Sequence, residues 1–116
     1  MTHSTNCIFC RIVAGEMGKI IHEDDLVAAF EDLNPQAPHH TLIVPRRHLE
    51  SLDQVGPAEE PLAGRLLSAE ELLARRKGLH VNGYRVVFNT GKAAGQSVSH
   101  LHLHLLGGRD LRWPPG

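Results

Sequence analysis

The chain has 116 residues, 41% of them hydrophobic, nine histidines and a formal net charge of −1. That length suits one domain across residues 1–116 and buries roughly two thirds of the unfolded surface, enough for a core without staples. The charge balance argues against a nucleic-acid partner, no apolar run approaches the roughly 20 residues of a membrane span, and no secretion signal opens the chain, so a cytoplasmic location is the expectation.

Residues 1–6 are polar and read as a loose tail. Phe9, Ile12 and Val13 give a short helical turn an apolar face, and Gly15 and Gly18 interrupt it. Lys19–His22 and Leu26–Phe30 are apolar runs around Glu23, Asp24 and Asp25, the pattern of a hairpin with an acidic turn. Residues 34–38 form a loop, and His40–Val44 a third strand stopped by Pro45. Over residues 61–77, Leu62, Leu66, Ala69 and Leu73 recur at helical spacing, widened by Ala63, Leu67 and Leu72. Pro61 suits the first turn, Glu71 and Arg75 pair at i,i+4, and Gly78 ends the helix. Arg46 and Arg47 read as a solvated face, and Arg75, Arg76 and Lys77 as a helix C-terminus complementing the dipole. Tyr84–Phe88 is a fourth strand, residues 89–97 a glycine-containing loop, and the run from His100 to Leu106 a fifth strand. Strands joined mostly by short turns, with one long helix between the third and fourth, indicate an α+β fold with a five-stranded antiparallel sheet, one long helix and one short helix.

The fifth strand carries the chemistry. His100, His102 and His104 alternate with Leu101, Leu103 and Leu105. A strand sends successive side chains to opposite faces, so the imidazoles share one face, about 6.6–7 Å apart along the chain. The leucine face can pack while the imidazoles act as nucleophile, acid, base or metal ligand. Gly95, Gln96, Ser97, Val98 and Ser99 run into this strand and offer backbone and hydroxyl donors to an anion, so a phosphate fits among Ser97, His102 and His104. Gly107, Gly108 and Arg109 follow it and permit close backbone approach. A metal held by the histidine row itself is an alternative that needs further ligands.

Cys7 and Cys10 form a Cys-x-x-Cys unit, which in a reducing compartment points to metal or redox chemistry, and no thioredoxin-like context surrounds it. Two cysteines supply half of a usual zinc set, and His48 and His100 are candidates to complete it. Two buried inert cysteines are the plainer reading.

The run Ser99–Leu106 resembles the His-φ-His-φ-His-φ-φ signature of the histidine triad family. Four further blocks are similar to its Hint branch of nucleoside phosphoramidases: residues 34–40, 83–89, 95–98, and 107–109 with Trp113–Gly116. The resemblance implies two subunits joined into a ten-stranded sheet. It implies purine nucleotide partners such as AMP, phosphoramidates and aminoacyl-adenylates. His102 would be the nucleophile, His104 the group on the phosphate and leaving amine, and His100 and His40 would orient the nucleophile. Asn89, Gly95, Gln96 and Ser97 match nucleotide-contacting positions near the phosphate. Asp32, with Leu33 beside it, matches the ribose carboxylate, and Ile8, Phe9, Ile12, Phe30 and Leu42 the wall around the base. Read without the resemblance, Asp32 is equally an acidic strand end and Asn89 a turn former. Bacterial members pair the two cysteines with the positions of His48 and His100, which implies structural Zn²⁺ at Cys7, Cys10, His48 and His100, and no cofactor for catalysis. Trp113 is either a core plug or part of a homodimer interface with the C-terminal segment to Gly116. Two rivals stand beside the phosphoramidase reading: a nucleotide-binding adaptor with incidental hydrolysis, and a dinucleoside polyphosphate hydrolase of the sister Fhit branch. The latter typically carries glutamine after the third histidine, where this chain has Leu105, Leu106, Gly107 and Gly108.

Overall fold

In the computed structural model, which describes residues 6–116, the strand that comes last in the chain lies inside the sheet, not at its edge. The elements are α1 (Ile8–Val13), β1 (His22–Glu23), β2 (Val27–Glu31), β3 (His39–Pro45), α2 (Glu60–Arg76), β4 (Tyr84–Val87) and β5 (Leu103–Gly107), with short 3-10 turns at Leu52–Gln54, Pro57–Glu59 and Lys92–Ala94. The sheet order is β1-β2-β3-β5-β4, every pair antiparallel. The helix α2 carries the chain from β3 to the far edge, and β5 returns into the slot between them. The expected loose tail lies, through residue 5, outside the described residues.

Alternation sorts the sheet residues onto two faces. Val27, Ala29, Ile43, Leu101, Leu103 and Leu105 pack on one face with Leu62, Leu66, Ala69, Leu73 and Ala74 of α2. Ala28, Phe30, Leu42 and Val44 pack on the other with Cys7, Phe9, Cys10, Ile12 and Val13 around α1. Leu62, Leu66, Ala69 and Leu73 of α2 are buried as their spacing requires, whereas Leu67 and Leu72, expected to widen the stripe, are exposed on the flank away from the sheet's core. Pro61 sits in the first turn, and Arg75 pairs with Glu71. Its chain exits through Gly78 at φ +72°, a left-handed conformation glycine adopts without strain.

Several boundaries shift by a residue, β3 running from His39 to Pro45 with Pro45 still opposite Val27, and two shift further. The first strand pairs only from His22, although the Ile21 N–H still donates to Ala29 O at 2.8 Å. Its turn is held by Asp24 Oδ1, which accepts from the N–H groups of Leu26 and Val27 at 2.8 and 3.0 Å. The ladder of the fifth strand begins at Leu103, not His100. His100 to His102 instead run towards the segment after β3, where the Leu101 N–H donates to Leu49 O at 2.6 Å. The alternation of leucine and histidine continues through this unpaired stretch, with Leu101 in the core on the α2 face. Arg46 and Arg47 face Glu23 and Glu59, and Lys77 faces Glu31, so the basic clusters are partly paired. No helix among the described residues is long and apolar enough to cross a membrane.

Candidate active site

The inserted position of β5 is what makes a site. Register sets His104 opposite Leu42 and His40 opposite Leu106. His40 and His104 are therefore diagonal neighbours on one face of adjacent strands, a separation long side chains can bridge. Their Nε2 and Nδ1 atoms lie 2.8 Å apart.

A chain of hydrogen bonds then assigns the protons. The Gln36 N–H donates to His40 Nδ1 at 3.0 Å, so that nitrogen is an acceptor. Burial, opposed by Asp32 and Glu31, lowers the His40 pKa below its ordinary value, and the neutral ring carries its proton on Nε2. That N–H donates to His104 Nδ1, with Asp32 Oδ2 at 3.4 Å. Burial, then the neighbouring His102 and His40, push His104 down to about 4. His104 is thus neutral with its proton on Nε2. This Nε2 is buried and has no hydrogen-bond partner among the described residues. It is a donor waiting for an acceptor, and an unmet buried donor in a native fold calls for a reason.

His102 is set by a different partner. Its Nδ1 lies 2.7 Å from the His100 carbonyl oxygen and donates to it, which leaves the lone pair on Nε2. Phe9 packs edge-on against the ring at a centroid distance of 5.1 Å, and the His104 ring lies at 4.9 Å. A lone pair and an N–H donor therefore stand side by side on the imidazole face.

Both rings line a cavity of about 430 Å³, within the range of small-molecule sites. Ile8, Phe9, Ile12, Phe30 and Leu42 form an apolar wall, and Asp32, Leu33 and Ser97 line it with the two histidines. His40 and His100 stand behind, buried. Asn89, Gly95 and Gln96 are not among the lining residues. The Gln96 amide braces the loop: Oε1 accepts from the Gly91 N–H at 2.9 Å, and Nε2 donates to Glu50 O and Val98 O at 2.7 and 3.0 Å. Five lining residues escaped the sequence reading: Gly18, Lys19, Ile21, Glu31 and Val98. Val98 lay within a motif already singled out, whereas Gly18, Lys19 and Ile21 reach the cavity because the chain turns back after α1, which no local pattern announces.

A second cluster sits beside the first. Cys7, Cys10, His48 and His100 each offer a ligand atom, all within 4.8 Å of one another. Cys7 and Cys10 come from the start of α1, where Cys7 is the N-cap and its Sγ accepts from the Cys10 N–H. His100 Nε2 donates to Pro45 O at 2.9 Å, so its Nδ1 lone pair faces Cys7 Sγ at 3.2 Å and Cys10 Sγ at 3.5 Å. His48 Nδ1 lies 3.3 Å from Cys10 Sγ. Two sulfurs and two imidazoles, one of them oriented by a backbone carbonyl through its other nitrogen, fit tetrahedral zinc. The same donor set fits neither Mg²⁺ nor Ca²⁺, which take oxygen.

A model of the HIT domain family matches residues 15–111. An uncharacterised HIT-like protein of Synechococcus elongatus is 46% identical over 114 residues, covering 97% of this chain and 99% of that protein. A 14 kDa zinc-binding protein of Zea mays is 45% identical over 113 residues, covering 94% and 87%. Among solved structures, a HIT family hydrolase from Legionella pneumophila superposes with a TM-score of 0.93 at 45% identity, covering 96% of this chain and 100% of that one.

Proposed function

The chain belongs to the HIT domain family, and we propose that it is a hydrolase cleaving the P–N bond of purine nucleoside phosphoramidates to the nucleoside monophosphate and an amine. The observation that carries this reading is the pair on the cavity wall: the His102 Nε2 lone pair, fixed by the bond from Nδ1 to His100 O, beside the unpartnered N–H of His104. In the proposed reaction His102 Nε2 bonds to the α-phosphorus, the P–N bond breaks and the amine departs. Water then adds to phosphorus as the P–His102 bond breaks, releasing AMP. The His104 N–H meets a phosphate oxygen or the leaving nitrogen, where charge develops. His40 and His100 position the two reacting rings without touching substrate. Ser97 adds a hydroxyl at the phosphate, Asp32 accepts from the ribose hydroxyls, and the wall of Ile8, Phe9, Ile12, Phe30 and Leu42 covers the base. Asn89, Gly95 and Gln96 support the phosphate end through their loop. The name of the Legionella relative supports hydrolysis in general.

Cys7, Cys10, His48 and His100 would hold structural Zn²⁺, supported by their donor set and by the name of the maize relative. The metal would cross-link α1, the segment after β3 and the approach to β5; the proposed chemistry takes no cofactor. We further propose one domain across residues 1–116, a cytoplasmic location, and a homodimer in which the edge strand β4 pairs with its copy into ten strands. Trp113, 82% exposed, is available to that interface.

The test is AMP release from adenosine 5′-phosphoramidate by the pure protein beside His102→Ala. Release lost in the variant supports the reaction and the nucleophile. AMP binding with no release by the wild type leaves a nucleotide-binding adaptor, and cleavage of diadenosine tetraphosphate in preference would favour the Fhit-type reaction.

A further inference from the structure

Arg109 lies outside the cavity, exposed, two residues past the end of β5. Its Nε and Nη2 donate to one acceptor, the Gln36 carbonyl oxygen, at 3.1 and 2.9 Å, and its Nη1 donates to Asp110 O at 2.9 Å. The turn that carries it is pressed onto the loop before β3. At Gly108, φ is +93°, and a Cβ there would lie 3.0 Å from Pro38 Cβ and 3.1 Å from His39 Cδ2. Gln36 is the residue whose N–H makes His40 Nδ1 an acceptor. The contacts close a ring: β5 through Arg109 to Gln36, Gln36 to His40, His40 to His104, and His104 back to β5.

We infer that Arg109 is a positioning residue for His104, holding Gln36 in place so that the His40–His104 pair shares its proton in one direction only. The argument is one of tautomers. While Gln36 donates to His40 Nδ1, the His40 proton is confined to Nε2, and His104 must accept at Nδ1 and present N–H at Nε2. If Gln36 withdraws, His40 can carry its proton on Nδ1. Its Nε2 then accepts, His104 must donate from Nδ1, and His104 Nε2 turns a lone pair towards a phosphate oxygen that is itself an acceptor. A guanidinium whose two N–H groups converge on one carbonyl oxygen restricts direction as well as distance. The inference rests on the reading of His104 as the donor at the phosphate.

The test uses the full chain with Arg109→Met, Arg109→Lys and, as a control, Arg85→Met, whose guanidinium donates to the carbonyls of Leu111 and Arg112 and so ties the same segment without touching Gln36. The first readout is the tautomer of the histidine rings, from long-range ¹H–¹⁵N spectra of ¹⁵N-histidine protein at neutral pH. His104 Nε2 is expected protonated in the wild type and Arg85→Met, mixed in Arg109→Met, and intermediate in Arg109→Lys, which keeps one donor. The second readout is turnover of adenosine 5′-phosphoramidate: kcat falls by about 10-fold in Arg109→Met with KM within about twofold, and Arg109→Lys recovers part of it. A wild-type ring spectrum in Arg109→Met overturns the inference, as does the same shift in Arg85→Met, which would mean general loosening of the segment. If Arg109→Met does not fold, Arg109→Lys carries the comparison, and a wild-type spectrum in it has the same meaning. Failure of the wild type to hydrolyse phosphoramidate would sink the proposed function and leave the ring spectra to decide Arg109.

Discussion

The two faces of the run from His100 to Leu106 obey opposite rules. On the α2 face, Leu101, Leu103 and Leu105 are no more than 3% exposed, in an apolar core with no chemistry to perform. On the α1 face, His100 and His102 are nearly as enclosed and His104 is half-buried, yet every ring nitrogen there has a role set by a named neighbour or by a missing one. The difference teaches where specificity comes from. The leucine face needs volume, and a dozen packed side chains share the task. The imidazole face needs direction, and single hydrogen bonds to Pro45 O, His100 O and His40 decide which nitrogen carries a proton. Substitutions on the two faces are therefore expected to separate function from stability.

The largest expected effect is His102→Ala, which is expected to lower phosphoramidate turnover by at least about 10³-fold while the thermal midpoint moves little. Steady-state kinetics beside a calorimetric scan checks both halves, and a stability loss as large as that of a core leucine would erase the distinction between the faces. Leu103→Ala reverses the pattern. It is expected to cost about 3 kcal/mol, read from urea unfolding, because a fully buried side chain leaves a cavity between the sheet and α2.

Cys10→Ser sharpens the comparison within the imidazole face, between its proposed zinc end and its proposed phosphate end. Zinc content measured on the purified protein should drop, and the midpoint should fall and cease to respond to added chelator. The smallest effect concerns His104. Its pKa is held at about 4 in the fold, by burial first, against an ordinary value near 6.5. Between those values the unfolded chain binds the proton and the native ring does not, so stability declines as pH falls through 6.5 towards 4 and is fully regained above 6.5. Thermal midpoints taken from about pH 7 down to about pH 4.5 should show this slope, and His104→Gln should flatten it.

Much of this was legible in the residues. Period-2 alternation placed leucines and histidines on opposite faces, and helical spacing from Leu62 to Leu73 placed α2 on the leucines. The motif blocks led to the HIT family. The pairing of His40 with His104 was not legible, because it depends on β5 entering between β3 and β4 and on register, across 64 residues of chain. Nor was the role of Gln96, whose side chain bonds the backbone of Glu50 across 46 residues. The early part of the histidine run looked like a continuous strand because alternation persists without a ladder partner, and only the path of the neighbouring chain shows where pairing starts.

The sequence by itself determined which residue types share a face, since that follows from the geometry of one extended chain, and it offered Cys7 and Cys10 as candidate ligands with His48 and His100 as candidates to join them. Tertiary structure alone decided the protonation pattern. A histidine has two ring nitrogens that differ only in what they meet. Distant segments supply His40 to His104 and Pro45 to His100, across 64 and 55 residues, while Gln36 for His40 and the His100 carbonyl for His102 are near in the chain and are aimed by the path the fold gives it.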